Sequence, residues 1–476
     1  MNRIVGLETE YGCLTGDFPG ASGALARARD WTFQDQRFGL IDVHQRDWDE
    51  PAGNGGFLFN GGRCYIDMGH LEYCTPECLS LLDVLRYDQA GDAILLQAAA
   101  AVGAGRQIDF IRNNIDHYSP ATFGCHENYL IRRAAPLTEA NLRSLLAFLT
   151  LRMLYTSAGR VGAAVAAEAR SEVSRPGREK MFQISQRADH INNDLFEWVQ
   201  FNRAIINTRD EPLADPRKFR RLHLLHGDSN VLPASLLLKI GTTSLALDLL
   251  EINQIPKIAL DDAVATFRDL SHQPEGPWLV RLAGGRCADA VNLLHQFQEA
   301  ARAHLSGRDA ETDTLLSLWA DTLAGLATEP ETQVGKVDWI TKRWLLQQFC
   351  DQEKISWDDP WLKSQDLEYH QIDPARSLGL AVARTPPPWE IPRLQDPPAA
   401  LQAPSNTRAH VRSLAMRRLQ QATGSYYIDW EILGAEGGHA LHLLDPFDSD
   451  PSEAEKWAQS LSRCSARPST PPRRRG

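Results

Sequence analysis

The chain has 476 residues, 43% hydrophobic and 23% charged, with a net charge of −11. This is ordinary globular composition, long enough for two or three domains, and its acidic balance argues against non-specific nucleic-acid binding. The N-terminal MNRIVGLETEYG lacks a signal-peptide apolar region, and the apolar stretch SLLAFLTLRMLY (144–155) is interrupted by Arg152 and too short for a bilayer, so no membrane partner is expected.

The first 250 residues alternate strand-like and helical patterns. RIVGLETEYGCL reads as one strand and GGFLFNGGRCYIDM as another. SLLDVLRYDQAGDAILLQAAAAVGA has apolar residues at helical spacing, with its start expected at Thr75-Pro76-Glu77. QIDFIRNN, GCHENYLIRR, KMFQISQRADH, RAIINTRDEP and RLHLLHGD read as strands, and LTEANLRSLLAFLTLRMLY as a helix capped by Thr138. From about 289 to 350 the pattern is mainly helical. The proline-rich stretch 384–406 reads as a linker. RAHVRSLAMRRLQQA then reads as a short helix and YYIDWEIL as a strand. These patterns divide the chain into a large domain (1–383), the linker, a small C-terminal domain (407–450) and a polar tail (451–476) expected to be disordered. The eight cysteines are scattered, with only Cys74 and Cys78 close together, and read as reduced cytoplasmic thiols rather than as disulfides or a zinc site.

Alternation along the strands is the informative signal, because successive side chains point to opposite faces. Arg63, Tyr65 and Asp67 share one face, with Cys64 and Ile66 on the other. Glu8 and Glu10 share a face, as do His126 and Asn128, then Gln183, Ser185 and Arg187, then Asn207, Arg209 and Glu211. Plain solvated sheet faces are rich in Lys and Thr. These carry acids, arginines and histidine, which points to a concave sheet whose polar face is a site. Glu8, Glu10 and Glu72 with His126 form a mostly hard-oxygen set that favours Mg²⁺ or Mn²⁺ over zinc. Arg63, Arg187 and Arg209 are candidates to neutralise a nucleotide's phosphates. No Walker motif or dinucleotide fingerprint is present, so such a nucleotide would sit on the sheet.

GLETEYG, NGGRCYIDMGHLEYCTPE, FGCHENYL, FQISQRADH, IINTRDEPLADPRKFRRLHLLHGDSN and LKIGTTSLALDLLE, in this order, resemble the Pup ligase and depupylase family, relatives of glutamine synthetase. The resemblance implies an α+β fold: a glutamine synthetase-like domain with a curved, mainly antiparallel sheet on helices, and a small C-terminal domain. It implies use of ATP and Mg²⁺, with Glu8, Tyr65 and Glu72 at the metal, Arg63, Thr75 and Trp430 at ATP, and Asp67 as the catalytic residue. The implied partners are a small, disordered ubiquitin-like (Pup-like) tag and lysine-bearing protein substrates. The terminal glutamate of the tag would be phosphorylated on its side chain and then attacked by a lysine. The basic PRKFRRLH reads either as a solvated face or as a surface for the acidic tag.

The branch of the family is read from smaller features. GLETEYG, VRLAGGR (280–286) and the pair Asp429-Trp430 look ligase-like, and the interval between Glu8 and Arg63 leaves room for only a modest insertion where depupylases carry a long loop. The five-residue step from Asp67 to Glu72, Leu71 in place of a proline, and AGRVG resemble the depupylases. The expectation is a ligase; the alternative is a depupylase or deamidase.

Overall fold

The computed structural model describes residues 3–15, 21–47, 49–103, 108–119, 121–162, 182–197, 203–390, 400–421, 424–436 and 438–464. The end of the polar tail (465–476) and part of the proline-rich stretch (391–399) lie outside them.

The main sheet contains β1 (Val5–Thr15), β2 (Gly39–Ile41), β3 (Gly55–Leu58), β4 (Arg63–Asp67), β5 (His70–Cys74), β6 (Ile108–Ile111) and β7 (Cys125–Arg132). After two short strands, β8 (Arg160–Val161) and β9 (Phe182–Gln183), which pair with each other, it gains β10 (Asn193–Phe196), β11 (Ala204–Asn207) and β12 (Phe219–Leu224). Its order is β10-β11-β12-β7-β1-β5-β4-β3-β2, with β6 on the distal half of β1. Every pairing is antiparallel except β10 with β11. The α+β expectation with a mainly antiparallel sheet therefore holds.

One face of the sheet is apolar because the alternation puts Leu7, Tyr11, Leu71, Tyr73, Tyr129, Leu222 and Leu224 there, all buried. Helices cover it. Leu81–Val102 is tied to β1 by the Tyr11 hydroxyl, which donates to Asp92 (2.9 Å), while Arg112 bridges Asp88 and Asp92. Pro233–Glu251 is long and apolar enough to cross a bilayer, but 89% of its apolar window is buried inside the protein. It is a core helix, and it is longer than the 144–155 stretch. Behind β7, Glu127 is fully buried and receives two bonds from Arg152 (2.8 and 2.5 Å).

Several local expectations are corrected. GGFLFNGGRCYIDM is two strands, because Asn60 and Gly61 (φ +87°) turn the chain and the Asn60 side chain accepts from the Gly62 amide. The helix after Thr75-Pro76-Glu77 starts at Leu81, where Ser80 accepts from the Asp83 amide, a better cap than the proline step. Thr138 caps its helix as expected, accepting from Asn141. Among the described residues of KMFQISQRADH only Phe182–Gln183 is strand, and a 3₁₀ turn, Ala188–His190, follows; Lys180 and Met181 lie outside the described residues. YYIDWEIL is a hairpin, Tyr426–Ile428 and Ile432–Ala435, with Trp430 in the turn. The tail expected to be disordered begins as a helix, Ser452–Cys464, which buries Ala454 and Trp457.

The C-terminal segment packs against the first strands. Val411, Met416 and Leu419 of the helix Arg408–Leu419, with Ile428 and Leu433, share one apolar cluster with Phe57, Leu58 and Leu71. Glu77 receives Arg408 (2.7 Å) and Arg412 (2.5 Å), and Arg412 also donates to the Gly61 carbonyl (2.6 Å). This buried clamp joins the β3–β4 turn to the helix Arg408–Leu419.

Candidate active site

The polar face is built by register. Glu10 lies opposite Glu72, Tyr65 opposite Glu72 from the other side, and Glu8 opposite His126. Two glycines make room for it. A Cβ at Gly55 would lie 2.2 Å from the Cβ of Tyr65, and one at Gly124 would lie 2.3 Å from His126 Nε2 and 2.8 Å from Glu10 Oε1.

Two clusters of metal-ligating groups result, each with its ligand atoms within 4.8 Å of one another: Glu8, His126 and His223, and Glu10, Asp67 and Glu72. In the first, Glu8 faces His126 Nδ1 (3.2 Å) and His223 Nε2 (3.4 Å) and accepts from Asn128 Nδ2 (2.9 Å). Burial opposes its charge, but His223 and His126 hold it well below the usual carboxylate range. Burial pushes His223 down to about 4 against the pull of Glu8, which leaves a neutral imidazole at pH 7, the form that binds metals.

The second cluster is all oxygen. Burial, then Glu8, Asp67 and Glu10, push Glu72 well above the carboxylate range, although the Tyr65 hydroxyl donates to it (2.8 Å). Burial and Glu10 push Asp67 up to about 7, with His126 pulling the other way. Three carboxylates this close repel, and a divalent cation among them would relieve the repulsion. The donor set therefore fits a hard cation such as Mg²⁺. Tyr65 is itself kept protonated by burial and by Glu72, so it serves as a hydrogen-bond donor to the cluster.

A cavity opens beside the first cluster. Its apolar walls include Leu130, Leu213, Trp430 and Pro446; Glu8, Thr75 and Arg221 line its polar side. Thr75 is fixed by accepting from the Leu7 amide (3.0 Å) and donating its own to the Leu7 carbonyl (2.9 Å). Trp430 meets Phe57 edge-on (5.1 Å), and the Arg412 guanidinium lies 5.0 Å from its ring. An aromatic wall with two acidic side chains, Glu8 and Glu77, and two basic ones, Arg221 and Arg408, around it suits a purine nucleotide.

Other sequence candidates are placed differently. Arg63 stacks on Tyr65 (4.0 Å) but bonds Asp42 (3.1 Å) and Glu50 (2.5 Å), so its charge is already compensated. Arg209 is not brought to the face: β11 ends at Asn207, and Arg209 is exposed and pairs with Glu211 (2.7 Å). Arg187 lies beyond β9, in a turn pinned by Asp228, which accepts from the amides of Ala158, Gln186 and Arg187 and from the Ser185 hydroxyl. His223 and Arg221 were missed. They alternate on β12 as Glu8 and Glu10 do on β1, so the same two-residue count carried the signal. Cys74 and Cys78 are buried and free.

A carboxylate-rich face on a large antiparallel sheet, with a cavity ending at its metal-ligating groups, defines an enzyme. The family model for Pup-ligase protein matches residues 3–434, and the chain belongs to that family. It is 32% identical to a Pup–protein ligase of Gordonia bronchialis over 97% of this chain and 100% of the relative. It is also 32% identical to a depupylase of Acidothermus cellulolyticus, over 98% and 97%. The crystal structure of Pup with its ligase PafA superimposes with a TM-score of 0.81 at 29% identity, covering 97% of this chain and 93% of that one. PafA in complex with ADP gives 0.76 at 28%, covering 96% of each.

Proposed function

We propose that this protein is an ATP-dependent ligase that joins the side-chain carboxyl of a terminal glutamate, on a small Pup-like tag, to lysines of other proteins. The observation that carries the reading is the junction at Glu8, where the cavity's polar side is also the edge of the carboxylate face. ATP bound there, between Trp430 and Thr75, would direct its phosphates toward Glu8 and Arg221. Mg²⁺ would be held by Glu8, Glu10 and Glu72, with His126 and His223 beside them, and would supply charge neutralisation for phosphoryl transfer. The chain is read as a cytoplasmic protein, with residues 1–383 bearing the face and 407–450 closing the cavity with Arg408 and Trp430.

A carboxylate is a poor electrophile, so the tag's glutamate first takes the γ-phosphoryl group of ATP, releasing ADP. The lysine nitrogen then attacks the acyl carbon, phosphate leaves, and the nitrogen loses a proton. Asp67 stands on the face, beside Glu10 and Glu72, to accept that proton. The depupylase reading keeps the same residues, with Asp67 as nucleophile or activating water.

The test is stoichiometry. With MgATP, a Glu-ending tag and a lysine-bearing acceptor, conjugate should accumulate with one ADP each. Cleavage of ready-made conjugate, or ammonia release from a Gln-ending tag, without ADP growth beyond one turnover, would assign the protein to the hydrolases.

A further inference from the structure

The β4–β5 turn carries a side chain that its backbone disfavours. Met68 and Gly69 join Asp67 to His70, and both have positive φ, +43° and +91°. A two-residue turn of this hand favours Asn or Asp followed by Gly, and a long side chain in the left-handed region is uncommon. Met68 is also 65% exposed, so little packing offsets the conformation. A backbone outlier beside a reactive group points to function.

The turn stands at the far end of the face from the cavity. Along the β4–β5 ladder Arg63 pairs with Cys74 at one end and Asp67 with His70 at the other. The cavity, lined by Cys74, Thr75 and Trp430, lies at the first end. The turn is at the second, about 13 Å along the strand. With a nucleotide filling the cavity end, the Asp67 end is where an amine enters.

A second turn stands beside the first. The Asn54 side chain donates to the Ile66 carbonyl (2.6 Å), the Ile66 amide donates to the Asn54 carbonyl (3.2 Å), and the Asn54 amide closes the turn on the Pro51 carbonyl (3.0 Å). Pro51, Ala52 and Gly69 are exposed, and a Cβ added at Gly53 or Gly69 would meet nothing within 4 Å. The two turns thus form a low, open rim next to Asp67, with Met68 as the long apolar side chain standing on it.

The reach of lysine decides what touches this rim. Its side chain spans about 6 Å from Cα to Nζ, five bonds of about 1.5 Å each. The nitrogen must come within about 3 Å of the Asp67 carboxyl to hand over its proton. The backbone of a folded acceptor therefore lies within about 9 Å of that carboxyl, while Met68 and Asp67 have Cα atoms only about 3.8 Å apart. We propose that Met68, with the Pro51–Asn54 turn beside it, is the surface on which the acceptor protein rests while its lysine reaches Asp67. This rests on the reading above that the nucleophile is a lysine of another protein. Methionine is unbranched and polarisable, so it adapts to acceptor surfaces of different shape, and the glycine tips let a broad surface approach. The rim thereby favours lysine carried on a protein over a small free amine.

The experiment compares two acceptors, a folded lysine-bearing protein and Nα-acetyl-lysine amide, with MgATP and a Glu-ending tag. The kcat/KM for each is read by mass. Met68→Asn should lower the value for the protein at least about fivefold and leave that for the small amine within about twofold. Asn suits the left-handed backbone, so the same variant should melt at or above the wild-type temperature, which separates contact from folding. Met68→Leu, still apolar, should keep the wild-type ratio. Ala52→Arg, a bulky charge on the second turn, should lower the protein value alone and serves as the independent variant. An unchanged ratio in both Met68→Asn and Ala52→Arg would overturn the inference. So would an equal loss for both acceptors, since Met68 would then act on Asp67 and not on the acceptor. If wild type joins neither amine but cleaves a ready-made conjugate, the ligase reading falls; the same ratio is then read on cleavage of tag–protein against tag–lysine conjugates, where the same two results overturn the rim.

Discussion

Two buried groups of charge lie close together in this protein and are built on opposite rules. At the clamp, Glu77 is surrounded by Arg408 and Arg412, which together pull its carboxyl, against burial, down to about 2. At the acidic cluster, Glu10, Asp67 and Glu72 crowd one another, and the carboxyls of Asp67 and Glu72 move up instead. Balanced charge fixes the chain in place, here the helix Arg408–Leu419 against the β3–β4 turn. Unbalanced charge destabilises the fold slightly and persists where a ligand completes it. The sign of the imbalance names the ligand: excess carboxylate asks for a cation.

Substitutions test the contrast. The largest effect is expected from Asp67→Asn, which keeps shape but cannot take up a proton in the same way. Turnover should fall about 10²- to 10⁴-fold, while thermal unfolding stays at or above the wild-type temperature because a repelling charge is gone. Single-turnover conjugation and a melting curve on one preparation decide it, and full activity would remove Asp67 from the chemistry.

Next comes Glu77→Gln, which strands two buried guanidinium groups. A loss of about 3–5 kcal/mol is expected in urea unfolding. Wild-type stability in this variant would mean that the clamp holds nothing. Glu8→Gln and Glu72→Gln should leave folding intact and weaken MgATP binding at least about tenfold, measured by calorimetry across a Mg²⁺ series. Unchanged affinity in both variants would take them out of the metal site.

The smallest effect is a slope. The Glu77 carboxyl has a folded value of about 2 against an ordinary 4.5. Its contribution is thus complete above pH 4.5 and is lost as pH falls toward 2. Through that window the clamp adds up to about 1.4 kcal/mol of stability loss per pH unit. In Glu77→Gln that share of the acid slope should vanish, which unfolding curves at stepped pH would show.

The polar face was readable because β1, β4 and β7 are long enough for alternation to persist, so Glu8, Glu10, Asp67 and His126 were placed from spacing alone. The same count failed for Arg187 and Arg209. It ran past Gln183 and Asn207, where pairing stops and a turn takes over. Strand ends are set by hydrogen bonds to neighbours distant in sequence, such as β11 to β12, and single-strand patterns do not record them. His223 alternates with Arg221 on β12 and was legible by the same count; register with Asn128 on β7 is what brings it to Glu8. Trp430 was legible only through family likeness. Its position depends on the hairpin turn and on Arg412, contacts that no local pattern announces.

The core helix Pro233–Glu251 has a consequence for synthesis. Its burial is completed in part by Ala290–Leu305 and Ala310–Thr328, which pack against it but leave the ribosome later. At ordinary elongation rates the nascent chain carries this oily segment incompletely covered for on the order of ten seconds. Slow codons placed between 251 and 328 would lengthen that window, and a chaperone that shields apolar segments would have its greatest effect on yield there.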